Sequence, residues 1–204
     1  ISDVDVGQDY LAVVGTNLRG QKSDARIEQN IVHTANLNEN GSVINTVRIK
    51  RTHPGFPGEL FHGAPNTSYM RLYVPKGSLL LDAGGFSYPP EHAFHVPESW
   101  YSDDVHLAIY EKEEGIHMDT GTRVSNQFGK TVFGNWMIVN PGESQEIWFQ
   151  YELPFSIVSK KQDSKENILA SIRDRFSGAP EKIARYQLVV DKQSGTEAHF
   201  DSRV

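Results

Sequence analysis

The sequence predicts a mainly β protein, an antiparallel β-sandwich of immunoglobulin-like or related architecture with one short helix. Three observations carry that reading. Apolar residues alternate with period two over several stretches, Gly and Pro punctuate the chain at turn spacing, and no repeated strand-helix-strand pattern occurs. At 204 residues, with 38% hydrophobic residues and 10% aromatics spread along its length, the chain suits a single domain over residues 1–204 with a sizeable core.

The elements follow in order. Residues 10–17 read as a first strand. Over residues 25–37, Ile27, Gln29, Ile31, His33, Ala35 and Leu37 fall on one face, the mark of a half-buried strand. Asn38-Glu39-Asn40-Gly41 supplies a turn, because Asn-Gly takes positive φ at little cost. Residues 42–52 then alternate back, Val43, Asn45, Val47, Ile49 and Arg51 against Ile44, Thr46, Arg48 and Lys50, completing a long antiparallel hairpin. Strands at 68–74 and 78–83 flank a tight turn at Pro75 and Gly77. Residues 84–104 are aromatic and Pro-rich and read as a long loop within the domain rather than a junction between two. Further strands are expected at 105–113, 131–139, 144–153 and 185–191, with Pro141-Gly142 making a hairpin turn. The one helix is expected at 164–177, where Asp163 or Ser164 caps a run holding Ile168, Leu169, Ile172 and Phe176, and Gly178 and Pro180 stop it.

Composition removes several functions. Twenty basic residues against 26 acidic give a net charge of -6, and the basic residues are scattered, which disfavours nucleic acid as a partner. The absence of cysteine removes disulfides, thiol nucleophiles, iron–sulfur clusters and Cys-ligated zinc. No apolar run approaches the roughly 18 to 20 residues a membrane-spanning helix needs. The chain starts at Ile1 with no Met or signal-peptide pattern, so an anchor or export signal is expected upstream. No Gly-x-Ser-x-Gly elbow, phosphate-cradling loop or dinucleotide-binding turn occurs, and no catalytic residue is nominated.

No metal or cofactor is expected. Glu91, His92, His95 and His106 are close in sequence, but Pro89, Pro90 and Pro97 bracket them and disfavour a helix that would bring His92 and His95 together. Asp3, Asp5 and Asp9 resemble the opening of a calcium loop, yet the glycine is out of register and no bidentate Glu follows. Asn40-Gly41-Ser42 and Asn66-Thr67-Ser68 match the glycosylation sequon.

The candidate binding residues are Phe86, Tyr88, His92, His95, Trp100 and Tyr101 in the 84–104 loop. Aromatic faces offer rigid contact area, and the interleaved Glu91, Glu98, Asp103 and Asp104 can hydrogen-bond hydroxyl-rich or peptide ligands.

Several segments together resemble a known family. They are Asp9-Tyr10-Leu11-Ala12-Val13-Val14 with Asn17 and Lys22-Ser23-Asp24; Tyr69-Met70-Arg71-Leu72-Tyr73-Val74-Pro75-Lys76-Gly77-Ser78; Lys130-Thr131-Val132-Phe133-Gly134; Pro141-Gly142-Glu143; Tyr151-Glu152-Leu153-Pro154; and 186–196, with its Lys192-Gln193-Ser194-Gly195-Thr196 end. Their order and spacing resemble the C-terminal region of the bacterial domain-of-unknown-function family 4012. The resemblance implies the far end of a membrane-anchored, exported protein located extracellularly at the cell surface. It implies no reaction, because the family has none established, and its Arg-Pro-Thr-Gly-Gly-type segment lies upstream of this region. The loop at 84–104 and the helix near residue 164 fall outside the shared pattern.

These strands lead to a first expectation: a non-enzymatic extracellular module of an anchored bacterial cell-envelope protein, structural or binding. Its partners would be the upstream part of its own chain and envelope polysaccharide or protein. The alternative is a glycan-acting hydrolase or transferase using carboxylates near the 84–104 loop, which requires two acids about 5 to 9 Å apart in a cleft.

Overall fold

Alternation of apolar side chains has built two sheets that share one interior. The structure, a computed structural model, describes residues 1–18, 22–94, 98–102, 104–106, 112–157 and 185–204. Among these residues run eleven strands: β1 (Asp9–Asn17), β2 (Glu28–Leu37), β3 (Val43–Thr52), β4 (Asn66–Pro75), β5 (Leu79–Gly84), β6 (Lys112–His117), β7 (Thr122–Gln127), β8 (Lys130–Val139), β9 (Ser144–Glu152), β10 (Leu188–Lys192) and β11 (Glu197–Arg203). A six-stranded sheet has the order β10-β1-β4-β8-β7-β6, and a five-stranded sheet the order β11-β2-β3-β9-β5.

The core lies between the sheets. Leu11, Val13, Met70, Leu72, Val74, Phe133, Met137 and Val139 of the first meet Ile31, Ala35, Val43, Val47, Ile49, Ile147, Phe149 and Tyr151 of the second. The β2–β3 hairpin has the expected faces: Ile31 pairs with Ile49, His33 with Val47 and Ala35 with Asn45, all buried. Leu37 sits at the hairpin tip opposite buried Val43 and stays exposed, on the part of β2 beyond Thr34 that β11 does not reach.

Three details differ from the sequence reading. Residues 25 and 26 belong to a short 3-10 turn, Lys22–Arg26, before β2 begins. That turn is held by Arg51, whose buried guanidinium donates from Nη2 to Asp24 Oδ1 (2.7 Å) and from Nη1 to Asn66 Oδ1 (3.0 Å) and Ser68 Oγ (2.8 Å). A side-chain anchor thus outweighs strand alternation there. Second, Pro141-Gly142 makes a turn but no hairpin: β8 lies in the six-stranded sheet and β9 in the five-stranded one, so the chain changes sheet at this point. Gly142, at φ 81°, donates its N–H to His53 O (2.8 Å), which fastens the crossing to the end of β3. Third, of the strand expected at 105–113, residues 105 and 106 are helical, 107–111 lie outside the described residues, and 112 and 113 open β6, which runs on to His117.

The sandwich is not wholly antiparallel. β10 pairs parallel with β1, and β11 parallel with β2, so the last two strands close the same sandwich edge, one in each sheet. Tyr186 and Leu188 pack on the inner core. The expected helix at 164–177 lies outside the described residues. Among the described residues no helix is long and apolar enough to cross a membrane.

Candidate functional site

The outer faces of the two sheets differ in chemistry. On the five-stranded sheet, outward positions of β3 read Ile44, Thr46, Arg48 and Lys50, an ordinary solvated face. On the six-stranded sheet the outward positions carry Tyr69, Arg71 and Tyr73 on β4, Lys130, Val132, Gly134 and Trp136 on β8, and Arg123, Ser125 and Gln127 on β7. Several of them are nonetheless buried: Tyr73, Lys130 and Val132 are each at most 5% exposed. A second apolar cluster of Tyr10, Ala12, Tyr73 and Val132 covers one end of this face.

Beyond that cluster the face opens into a groove of about 580 Å³, lined by Thr16, Tyr69, Arg71, Phe94, Arg123, Ser125, Gln127, Val132, Gly134 and Trp136. Register assembles it. Arg71 is opposite Gly134, and Gly134 is opposite Arg123, so the two arginines flank a glycine in one cross-strand row. Two strand spacings place their Cα atoms roughly 10 Å apart, with both side chains on the same face. A Cβ at Gly134 would lie 2.3 Å from the Tyr69 hydroxyl, so only glycine lets that phenol lean into the middle of the row.

The groove is rich in donors. Arg71 donates from Nη2 to Thr16 Oγ1 (3.0 Å), while its Nε is buried without a hydrogen-bond partner. Tyr73 donates its hydroxyl to Gln127 Oε1 (2.8 Å), which orients the amide so that Nε2 donates to Ser125 Oγ (3.1 Å). The Ser125 hydroxyl, already accepting, keeps its own proton to give. Aromatic rings form the wall: Trp136 packs edge-on against Tyr69 (centroids 4.9 Å) and against Phe94 (5.4 Å). Among the described side chains, no Asp or Glu lines the groove. Two guanidinium groups thus stand on one stretch of this face, on a chain of net charge -6.

The 84–104 loop supplies that wall with one residue and sends most of the sequence-nominated residues elsewhere. Gly85, at φ 82°, passes so close to β9 that a Cβ would lie 2.2 Å from Glu146 O. The chain then crosses between sheets. Phe86 turns inward onto Phe149 (5.6 Å) and is a core residue. Ser87 accepts the Ile138 N–H at its Oγ (2.7 Å) and donates its own N–H to Trp136 O (3.3 Å), covering the part of β8 that β7 leaves unpaired. Tyr88 and His92 are exposed, His92 within a short 3-10 turn at Glu91–Ala93. Trp100 and Tyr101 stack on each other (4.1 Å), both exposed, with the Trp100 indole donating to Glu98 Oε2 (2.6 Å). His95 and Asp103 lie outside the described residues. None of the five nominated residues that are described lines the groove; Phe94 does, together with Arg71, Arg123, Tyr69 and Trp136, which sequence reasoning had not gathered.

A second polar assembly lies inside the sandwich. Asp9 is fully buried and accepts from Tyr10 N (2.7 Å), from Asn45 Nδ2 (2.7 Å) and from the Tyr186 hydroxyl. Burial pushes its carboxyl above the ordinary range, and the three donors pull it back. All three contacts donate, which suits the ionised, acceptor-only form. His33 is also buried, its Nδ1 3.0 Å from Ser202 Oγ and its Nε2 3.4 Å from the Tyr186 hydroxyl. Ser, His and Asp are thus neighbours without forming a hydrolytic triad. His33 Nε2 stands 3.9 Å from Asp9 Oδ2, beyond hydrogen-bond length, and burial lowers the imidazole to a pKa of about 4, too weak a base at neutral pH. Asn66, in one of the two sequons, is likewise fully buried among Arg51, Ser23 and Asp24, where no glycan fits. Among the described residues no group of three or more His, Asp or Glu side chains is placed to hold a metal ion.

No family model, no curated protein and no solved structure matches this chain.

Proposed function

We propose that the chain is a non-enzymatic module of an anchored bacterial cell-envelope protein, acting outside the cell and binding envelope glycan along the outer groove of the six-stranded sheet. The observation that carries this reading is the groove itself: a donor-rich floor of Arg71, Arg123 and Ser125 beneath the aromatic wall of Tyr69, Phe94 and Trp136. Aromatic faces stack on sugar rings and fixed donors take their hydroxyl and acid groups, the combination expected of a carbohydrate site. The extracellular setting rests on the resemblance to the anchored family. A glycan hydrolase or transferase would need paired carboxylates in the cleft, and among the described residues the groove has none.

The test is isothermal titration calorimetry with short cell-wall and exopolysaccharide fragments on the chain, on Trp136→Ala and on a Trp100→Ala/Tyr101→Ala variant, with thermal midpoints confirming that each is folded. Saturable binding weakened about tenfold or more by Trp136→Ala and unchanged in the double variant is expected. Binding lost in the double variant instead would move the site to the exposed Trp100–Tyr101 pair, and no binding by any fragment would sink the glycan reading.

A further inference from the structure

We infer that the loop joining β3 to β4, residues 53–65, is a membrane-surface tip that seats Phe56, Leu60 and Phe61 in the headgroup layer of a lipid bilayer, with Lys22 at its collar. This site lies apart from the groove and does not depend on the glycan reading.

Three large apolar side chains stand out on this loop. Phe56, Leu60 and Phe61 are 64%, 76% and 65% exposed, crowded into one short stretch of chain. Single apolar residues on a surface need no explanation, but here the backbone is built to hold a group of them outward. His53 closes the loop from inside: its Nδ1 accepts the Gly55 N–H (3.2 Å), so its Nε2 carries the proton given to Ala64 O (3.1 Å). Glu59 donates its N–H to Phe56 O (3.1 Å) and Gly63 donates its own to Glu59 O (2.9 Å). A Cβ at Gly63 would lie 2.4 Å from Glu59 N, so the segment folds tightly on itself. The Lys22–Arg26 turn braces it, with Arg26 Nη2 donating to Glu59 Oε1 (2.5 Å) and His62 Nδ1 donating to Lys22 O (3.0 Å). Phe61 has φ 69°, a left-handed conformation that is costly for an aromatic residue, and it gains no burial in return. Backbone strain that packs nothing inside the protein points to a contact outside it.

The chemistry of the tip favours a bilayer over a protein. Glu59 is the only ionisable side chain between residues 54 and 61, and Arg26 already pairs with it. Phe56, Leu60 and Phe61 therefore present apolar area with no side-chain donor or acceptor to fix an orientation. A fluid interface accepts such a surface, whereas a protein interface rings its apolar centre with directional hydrogen bonds. The internal bonds of Gly55, Glu59 and Gly63 let those N–H groups leave water without losing their partners. Lys22 lies over the Phe61 ring, its Nζ 5.6 Å from the centroid, and has no carboxylate partner among the described residues. With the ring seated among the headgroups, that ammonium meets lipid phosphates.

The test is co-sedimentation of the full chain with phosphatidylcholine vesicles and with vesicles of about one-quarter phosphatidylglycerol. The variants are Leu60→Ser, Phe61→Asn, Lys22→Gln and the Trp100→Ala/Tyr101→Ala pair, each checked for folding by its thermal midpoint. Asn tolerates left-handed φ, so Phe61→Asn should keep or raise the midpoint while weakening vesicle binding about fivefold or more, as Leu60→Ser should. Lys22→Gln should weaken binding to the phosphatidylglycerol vesicles and leave binding to phosphatidylcholine alone. No binding to either vesicle would overturn the proposal and turn the tip toward a protein partner. Binding that survives both Leu60→Ser and Phe61→Asn, or that is lost only in the Trp100→Ala/Tyr101→Ala variant, would overturn it as well.

Discussion

His33 shows how burial alone can set a titration. Its imidazole is fully enclosed between β2 and the last strands, and desolvation lowers its pKa from 6.5 to about 4. In the unfolded chain the same imidazole is solvated and takes a proton near pH 6.5. Between about pH 4 and pH 6.5 the unfolded state therefore binds a proton that the folded state excludes. Stability rises with pH across that window, by up to about 3 kcal/mol. Asp9 works in the opposite sense: its folded pKa is raised, so the folded state holds the proton longer and stability falls as pH climbs from its unfolded value through its folded one. Urea unfolding at pH 4.5 and pH 7 should show the wild-type chain gaining stability with pH, and His33→Gln losing that gain or reversing it. An unchanged slope in the variant would show that His33 is not the group responsible. This polar interior was half legible in the sequence. Period two put His33, Asn45 and Arg51 on buried faces, but alternation does not say which strand each side chain will meet across the interior.

At the scale of elements, Arg51 joins what hydrogen-bonded strands leave apart. It belongs to β3 in the five-stranded sheet, reaches Asn66 and Ser68 on β4 in the six-stranded sheet, and clamps the Lys22–Arg26 turn through Asp24. Burial lowers the pKa of the guanidinium, while Asp24 counters that cost. Arg51→Ala would strand Asn66, Ser68 and Asp24 without their donor and leave a cavity, and should cost about 3 to 5 kcal/mol by denaturant unfolding. Arg51→Met, which refills the volume with apolar atoms, should cost less; equal losses would mean that the polar net rather than packing holds the turn. The elements that were misread share a cause. β7 reads Thr-Arg-Val-Ser-Asn-Gln and β11 reads Glu-Ala-His-Phe-Asp-Ser-Arg, each too poor in apolar residues for alternation to mark it. β7 spends its outward positions on the groove and β11 lies on an edge, mostly exposed. The groove was hidden for the same reason: Arg71, Gly134 and Arg123 lie far apart in sequence, and only register makes them neighbours. A signal was nonetheless available, since outward positions of β4 and β8 carry Tyr, Arg and Trp where β3 carries Thr, Arg and Lys.

For the whole molecule, the two sheets divide the work. Their shared interior holds the apolar residues and two polar knots, one outer face is plainly solvated, and the other is reserved for the groove. The 84–94 segment links the layers, with Gly85 against β9, Phe86 in the core, Ser87 on β8 and Phe94 over Trp136. Changes in the core should therefore reach the groove through this segment.

The parallel pairing of β10 with β1 and of β11 with β2 has a consequence in time. Tyr186 bonds Asp9 across 177 positions and Tyr10 bonds Asp191 across 181, so β1 waits for β10 before its edge is covered. During synthesis, β1 and β2 emerge with Leu11, Val13 and Ile31 lacking the strands that shield them. Refolding should accordingly be slow for a domain of this size, in the range of seconds or longer, because loop closure over nearly the whole chain precedes the final contacts. Stopped-flow refolding followed by tryptophan fluorescence would measure it, and a millisecond single phase would contradict that order of events. A ribosome stalled before residue 185 would carry a nascent sandwich open along one seam, the stage at which a chaperone has most surface to hold.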